Sequence, residues 1–281
     1  MQEKDQTVPG PEAMFDLGSD VAIVTGGAGV LPYTMAKALA GAGAKVALWG
    51  RGTNHPVADA ASRLAEECRV SAERVTGITV DTADEEASTR ALGETVEALG
   101  EPTILVNGVG GNRGKSSFVD IDRDTLQDVV MTNLFAGLII PLQVCGRHWK
   151  KTGTKAGVIN MASMTSYKPL SGVWAYNAAK SAVKNLTEGA AREFASDGIR
   201  VNAIAPGFFV GHQNKDLLIA DEATGTLTDR GQQIINRTPF GRFGQPEDLE
   251  GATLFLASRK ASGFVTGVTI PVDGGFLVDN I

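Results

Sequence analysis

The chain contains Val21-Ala22-Ile23-Val24-Thr25-Gly26-Gly27-Ala28-Gly29-Val30-Leu31-Pro32, a β-branched run that leads through a glycine-rich turn into a helical pattern. Glycines at such a turn let the backbone approach a pyrophosphate, whose charge is held by free N–H groups at the helix N-terminus. An ordinary tight turn is the alternative, but the position after the first strand of an alternating chain favours a dinucleotide. The predicted contacts are Gly26, Gly27, Gly29, Val30 and Leu31.

Short β-branched runs alternate with longer helical patterns along the rest of the chain. The runs predict seven strands, at 21–25, 45–49, 75–80, 103–107, 157–161, 199–204 and 268–272. The helical patterns lie near 31–42, 56–69, 84–99, 123–149, 174–196 and 246–257. This alternation predicts an α/β fold with a parallel seven-stranded sheet and helices on both faces.

No linker, composition shift or internal repeat divides the 281 residues. We therefore predict a flexible tail at 1–14 and a single catalytic domain at 15–281. The segment 208–245 is a long polar and aromatic connection between the last two predicted strands. Connections of that length usually cover a site, so a substrate-covering loop region is predicted here.

Composition and charge argue against several kinds of protein. A hydrophobic content of 43% and a net charge of −6 without a dense Lys/Arg run predict a globular protein that binds neither nucleic acid nor membrane. Cys68 and Cys145 are read as small buried side chains of a reducing compartment. The sequence shows no signal peptide and no run of about 18 apolar residues, so a cytoplasmic location is predicted. The three histidines lack metal-ligand spacing, and no metal site is predicted.

Tyr176 and Lys180 stand four residues apart in a predicted helix, which puts both side chains on one face. A phenol with a pKa of about 10 is a poor acid or base at neutral pH, but a neighbouring ammonium favours the phenolate. We therefore predict that Lys180 lowers the pKa of Tyr176 and that the pair transfers a proton. Taken alone, the motif could equally be a chance surface pair.

Five motifs in sequence order resemble the short-chain dehydrogenase/reductase family. They are the glycine turn, Asn107-Gly108-Val109-Gly110, Asn133, Ser163 with Tyr176-x-x-x-Lys180, and Pro206-Gly207, and together they cover nearly the whole chain. The resemblance implies a doubly wound Rossmann-type sheet, NAD(H) or NADP(H) as cofactor, and a small-molecule substrate. It also implies a homotetramer that pairs the helices near 123–149 and 174–196, and a catalytic set of Asn133, Ser163, Tyr176 and Lys180.

Two departures from the family pattern concern the cofactor. Val30 and Pro32 stand where the later two glycines of the usual turn are found, with Gly29 one place early. Proline is acceptable in a first helical turn because its missing N–H would be unpaired there anyway. Gly211 replaces the threonine that commonly follows Pro206-Gly207 and helps to hold the nicotinamide or pyrophosphate.

Cofactor preference depends on the end of the second predicted strand. NAD-specific dinucleotide folds place an acid there for the ribose 2′-OH, whereas an arginine can accept a 2′-phosphate. Gly50 occupies the place of the acid and Arg51 follows, which favours NADP(H) over NAD(H), although an arginine can also stack on adenine without discriminating. The resemblance adds further cofactor contacts at Asp81, Thr82, Asn107, Gly108, Gly110, Tyr176, Lys180, Pro206, Gly207 and Phe209. An N-cap for the helix that starts near Asp84 is the alternative reading of Asp81-Thr82.

The chain is similar to a narrower group, the D-mannonate oxidoreductase (fructuronate reductase)-like and gluconate dehydrogenase-like members. This similarity rests on 107–112, on 205–209 with Gln213-Asn214, and on 237–244. It implies an oxidoreductase that interconverts a secondary alcohol and a ketone on a sugar acid. The expected substrate contacts are Asn112, Arg113, Ser163, Thr165, Tyr176, Gln213 and Asn214. A 3-oxoacyl or other carbonyl reductase, and a non-catalytic dinucleotide-sensing protein, remain open as alternatives.

Overall fold

The computed structural model describes residues 10–53, 55–211, 215–221 and 224–280. Its main element is a parallel sheet of seven strands in the order β3-β2-β1-β4-β5-β6-β9. These strands are β1 (Val21–Thr25), β2 (Lys45–Gly50), β3 (Val75–Thr79), β4 (Ile104–Asn107), β5 (Gly157–Met161), β6 (Arg200–Pro206) and β9 (Thr269–Val272). The prediction of a Rossmann-type α/β fold is confirmed, and the predicted strand ends differ from the observed ones by at most two residues.

Helices cover both faces of this sheet. They are α1 (Pro11–Phe15), α2 (Val30–Gly41), α3 (Val57–Cys68), α4 (Glu85–Leu99), α5 (Arg123–Val130), α6 (Ile140–Thr152), α7 (Trp174–Phe194), α8 (Lys215–Leu218), α9 (Asp229–Asn236), α10 (Glu250–Ala257) and α11 (Arg259–Ser262). Side chains alternate along each strand, so Ala22 and Val24 pack beneath α2 and α3 while Ile23 packs beneath α4 and α6. Both faces are therefore buried, which explains the nearly continuous apolar runs.

The helix predicted at 123–149 is a single 30-residue helix from Arg123 to Thr152 in which α5 and α6 flank a π-helical segment, Met131–Ile139. By length and composition it is the one helix among the described residues that could cross a membrane. A core helix of a soluble protein passes the same test, and this one packs Leu138, Leu142 and Cys145 into the sheet. The sequence carried no sign of the π segment.

The described residues of the segment 208–245 form more secondary structure than the predicted loop. It contains α8, α9 and a two-stranded antiparallel sheet of β7 (Ile219–Asp221) and β8 (Thr226–Leu227). Thr228 caps α9 by accepting from the Gly231 N–H at 3.0 Å. Leu218, Ile234 and Phe243 form a small core of their own. Elements this short carry too few periodic positions to be recognised from sequence.

The described chain begins with a docked helix where a tail was predicted. α1 lies against α11, and its carbonyl groups at Ala13 and Met14 accept from Lys260 at 2.9 Å and from Ser258 at 2.6 Å. Residues 11–14 therefore do not belong to a tail. The rest of the predicted tail, residues 1–9, lies outside the described residues.

Candidate active site

Parallel pairing brings the carboxyl ends of β1, β4, β5 and β6 to one edge of the sheet. The glycine turn, Gly108, Ser163 and Gly207 follow these four strands closely, so the fold collects them at that edge. A cavity of about 620 Å³ opens there between the turn after β1 and described residues of 208–245, called the covering segment below, and its lining includes Val30, Lys215, Arg242 and Gln245. This volume is in the range of small-molecule sites.

The turn after β1 has the shape of a phosphate cradle. Gly26 has φ +65°, a left-handed conformation that favours glycine. A Cβ on Gly27 would lie 2.8 Å from the Leu48 side chain, so the backbone needs a glycine to pass there. Gly29 is the N-cap of α2 and caps it with no side chain, which leaves N–H groups of a 12-residue helix facing the turn. The residues present thus fit a dinucleotide pyrophosphate.

Pro32 packs against the loop that follows β4. A Cβ on Gly108 would lie 2.7 Å from two atoms of the Pro32 ring and 2.6 Å from the Thr25 carbonyl oxygen. In dinucleotide folds the third glycine of the turn permits close packing of the helix on the sheet. Here Gly108, in the loop after β4, provides the absence of a side chain that close packing needs. Helix α2 can therefore lie close to the sheet although it carries Pro32.

Asn133 lies in the π-helical segment and is fully buried. Its amide donates to the Gly111 carbonyl at 2.7 Å and to the Val129 carbonyl at 2.8 Å, while its oxygen accepts from the Gly111 N–H at 3.0 Å. The wider helical turn frees backbone groups that this amide can reach. Asn133 therefore fixes the loop after β4 against the long helix.

The Ser163 side chain lies near enough to the Tyr176 phenol to influence its pKa. Burial raises the pKa of the Tyr176 phenol, and the interaction with the Ser163 side chain opposes that rise. The prediction that Lys180 lowers the pKa of Tyr176 is wrong for the protein alone, because desolvation of the phenolate raises this pKa and Ser163, not Lys180, provides the opposing interaction.

Lys180 is 2% exposed and reaches from α7 to the end of β5. Its ammonium donates to the Met161 carbonyl at 2.7 Å and lies 5.7 Å from the centre of the Tyr176 ring. Burial lowers the pKa of Lys180 to about 8. Within the described residues it forms no salt bridge, so desolvation is not offset by a carboxylate.

The other predicted cofactor residues differ in their settings. Arg51 is exposed just beyond β2, where a 2′-phosphate could reach it. Asp81 accepts from the Ala83 N–H, and Asp84 rather than Asp81 is the N-cap of α4. The Asn107 side chain is fully buried and donates to Asn160, away from the glycine turn. The Phe209 ring packs in the main core, which leaves its backbone as the part that could meet a cofactor.

Predicted substrate residues are only partly brought together. Thr165 is 2% exposed beside Ser163, and no hydrogen-bond partner is found for its hydroxyl among the described residues. Asn112 and Arg113 are exposed on the loop after β4, where Asn112 donates to the Gly114 carbonyl and Arg113 lies 3.8 Å from Asp128. The expected contacts at Gln213 and Asn214 lie outside the described residues. In the described part of the chain no cluster of His, Cys, Asp and Glu could hold a metal ion.

Comparison with known proteins identifies the family. A family model described as enoyl-(acyl carrier protein) reductase matches residues 29–277. The chain belongs to the short-chain dehydrogenase/reductase family. An oxidoreductase of Bacillus subtilis named UxuB, described as uncharacterized, is 40% identical to this family member over 276 residues, covering 93% of this chain and 96% of the relative.

Two solved structures of the family resemble this chain. The gluconate 5-dehydrogenase of Burkholderia cenocepacia J2315, in complex with NADP and tartrate, has a TM-score of 0.84 at 31% identity, covering 96% of this chain and 99% of its own. A candidate D-mannonate oxidoreductase of Haemophilus influenzae with bound NAD has a TM-score of 0.81 at 34% identity, covering 94% and 97%. This short-chain dehydrogenase/reductase is accordingly an NAD(P)-dependent oxidoreductase acting on CH–OH groups. The alternative of a non-catalytic dinucleotide-sensing protein is therefore not supported.

The buried Lys180 predicts a pH dependence of stability. Because its pKa is about 8 in the folded protein and 10.5 in an unfolded chain, the unfolded state binds more protons between these values. Stability linked to Lys180 therefore rises with pH from about 8 to about 10.5 and is constant below that window. The measurement is the free energy of unfolding of native protein and of Lys180→Met, obtained by urea denaturation at pH 7.5 and at pH 10. We expect the difference, native minus variant, to be larger at pH 10. An equal difference at both pH values would contradict the burial of a titrating ammonium.

Proposed function

We propose that the protein interconverts a secondary alcohol and a ketone on a sugar acid of the D-mannonate/D-fructuronate or gluconate type. The observation that carries this proposal is that the Ser163, Tyr176 and Lys180 side chains lie close together at the strand edge that also holds the glycine cradle. Relatives named as gluconate 5-dehydrogenase and D-mannonate oxidoreductase support the substrate class.

The roles follow from the chemistry of these side chains. A bound nicotinamide supplies or accepts the hydride. In the direction of reduction Tyr176 gives its proton to the carbonyl oxygen, and Ser163 donates a hydrogen bond that stabilises the developing alkoxide. A phenol with a raised pKa remains protonated at neutral pH, which suits it as the acid in this direction. In oxidation the same oxygen atoms exchange the proton in reverse.

Lys180 and Asn133 complete the proposed set. A Cβ on Gly110 would lie 2.7 Å from the Asn133 side-chain oxygen and 3.0 Å from the Lys180 nitrogen, so the two groups border the same small space. We assign to Lys180 the binding of the nicotinamide ribose. We assign to Asn133 the role of positioning a water molecule that connects Lys180 to solvent.

Polar side chains on the loops after β4 and β5 favour a hydroxylated acid over an acyl chain. Arg113 can pair with a carboxylate in bidentate fashion, and Asn112 and Thr165 can bond to hydroxyl groups. An acyl pocket would need apolar side chains in these places. The family model's description as an enoyl-(acyl carrier protein) reductase keeps a 3-oxoacyl or other carbonyl reductase as the second candidate.

Cofactor preference, assembly and location belong to the same proposal. Arg51 beyond β2, with Gly50 in the place of an acid, supports NADP(H) over NAD(H). We propose a homotetramer that pairs 123–149 and 174–196, and a cytoplasmic protein. The half-exposed Met131 and Phe135 on the long helix, and Leu186 on α7, support such pairing, since apolar side chains gain from burial between subunits.

The proton-transfer role of Tyr176 can be tested by removing one oxygen atom. Tyr176→Phe keeps the ring and loses the transferable proton, so we expect turnover to fall by about 10²–10⁴ while NADPH binding persists. Tyr33→Phe is the matched control, because that hydroxyl accepts from Arg63 of α3 at 3.1 Å and does not belong to the proposed catalytic set. Turnover of Tyr176→Phe within a few-fold of native would overturn the assignment.

Charge at position 51 should set the cofactor preference. An aspartate repels a 2′-phosphate and accepts from a 2′-OH, so Arg51→Asp should move the ratio of kcat/KM for NADPH over NADH downward. Arg51→Gln loses only the positive charge, so its ratio should lie between those of native protein and Arg51→Asp. A ratio unchanged in both variants would show that Arg51 does not meet the adenosine ribose.

Arg113 should distinguish acidic from neutral substrates. Loss of a charge-assisted contact costs roughly 10–100-fold, so Arg113→Ala should lower kcat/KM by that factor for D-fructuronate and leave neutral ketoses little changed. Arg123→Ala removes an exposed charge at the start of α5 and is the control. Strong activity of the native protein on a 3-oxoacyl thioester, with none on sugar acids, would replace the substrate proposal by the second candidate.

A further inference from the structure

Helix α7 carries both groups of the proposed proton transfer on the face that lies on β5. Tyr176, Lys180 and Thr187 follow one another by four and seven residues, which are helical repeats of one face. Much of the remaining contact of α7 with the sheet is apolar, through side chains such as Val183 and Ala191. Apolar contacts are non-directional, so they do not by themselves fix the rotation or the height of a helix on a sheet.

Polar contacts hold this face at three heights. Near the N-terminus, the Asn177 side chain accepts from the Leu170 N–H at 3.3 Å and donates to its carbonyl at 2.8 Å. One turn on, Ser166 donates to the Lys180 carbonyl at 2.6 Å, and the Lys180 ammonium donates to Met161. The third contact, at Thr187, lies farther along the helix and does not touch the loops of the site.

This third contact ends a buried relay across the sheet. The Asn107 amide donates to the Asn160 side-chain oxygen at 2.9 Å, and the Asn160 amide donates to the Thr187 hydroxyl at 2.9 Å. Thr187 in turn donates to the Val183 carbonyl at 2.8 Å. All three side chains are 0% exposed, so water cannot replace a lost partner. An unpaired donor in such a place is costly, so the two bonds favour one arrangement of the relay, while Asn107 Oδ1 has no partner among the described residues.

We propose that the Asn107–Asn160–Thr187 relay is a positioning device that sets the rotation and height of α7 on β5 and thereby places Tyr176 and Lys180. The proposal rests on the proposed function of those two residues. Seven residues of helix separate Thr187 from Lys180, a distance of about 10 Å along the axis. Because a helix is stiff over this length, a shift at Thr187 is passed on to the ammonium and the phenol. A misplacement of about 1 Å can cost a catalytic group about 10²-fold.

The chain offers a matched control at Thr95. This threonine is also 0% exposed, accepts from a buried donor on a strand, the Trp49 indole, at 3.0 Å, and donates to the Ala91 carbonyl at 2.8 Å. It lies on α4, which carries no residue of the proposed catalytic set. Thr95→Val and Thr187→Val therefore remove the same hydroxyl from equivalent settings and should lower the melting temperature by similar amounts.

The first readout is the titration of Lys180, which needs no substrate. In protein labelled with 13Cε-lysine, Lys180→Met assigns the signal, and its midpoint is expected near the pKa of about 8 in native protein and in Thr95→Val. In Thr187→Val the ammonium is less tightly buried, so we expect an upward shift of about one pH unit or more. Thr187→Ser restores the hydroxyl and should restore the midpoint. Equal midpoints in Thr187→Val and Thr95→Val would overturn the proposal.

The second readout is kcat for reduction of D-fructuronate by NADPH. Thr187→Val should lose about tenfold more than Thr95→Val, with a smaller change in the KM for NADPH. Native protein inactive on sugar acids, or a fully active Tyr176→Phe, would overturn the proposed function, and the Lys180 titration would still decide the relay. If Thr187→Val does not fold, Asn107→Ala breaks the relay at its other end. Asn107→Ala should also raise the midpoint of the Lys180 titration, and an unchanged midpoint would refute the positioning role of the relay.

Discussion

Parallel hydrogen bonding between strands is the constraint on which the site depends. It puts the carboxyl ends of β1, β4, β5 and β6 at one edge and so gathers motifs that are up to 180 residues apart in the chain. Each strand then delivers a different part: a cradle of backbone N–H groups, a glycine loop, a serine and the covering segment. The same pairing buries the sheet on both faces, which leaves this edge as the place where polar chemistry is least costly.

The buried polar groups are the costly part of this arrangement. Lys180 and Asn133 are satisfied by backbone carbonyls rather than by opposite charges. A carbonyl neutralises no charge, so desolvation remains the dominant influence and the pKa of Lys180 falls. An ammonium that is easily deprotonated can release or take up a proton near neutral pH, which an ammonium paired with a carboxylate could not do.

The sequence was informative wherever a long periodic pattern or an ordered set of motifs was present. The seven strands and the six main helices were predicted because their apolar patterns extend over many residues. The covering segment was not, since α8 has four residues and β8 two, too few to show a period. The pKa of Tyr176 was predicted in the wrong direction because spacing shows which groups are neighbours and cannot show how much water they lose. Asn160 and Thr187 were missed for a related reason: an isolated asparagine in a strand gives no sign of a partner 27 residues away.

The contact of Gly108 with both Pro32 and Thr25 has a consequence for attempts to diversify this protein. Two independent obstacles exclude a side chain at position 108, one a ring on α2 and the other a carbonyl oxygen of β1. Replacing Pro32 by glycine removes only the first obstacle. A combinatorial library that randomises position 108 together with the turn after β1 would thus recover glycine at 108, and wider variation there requires β1 and β4 to move apart.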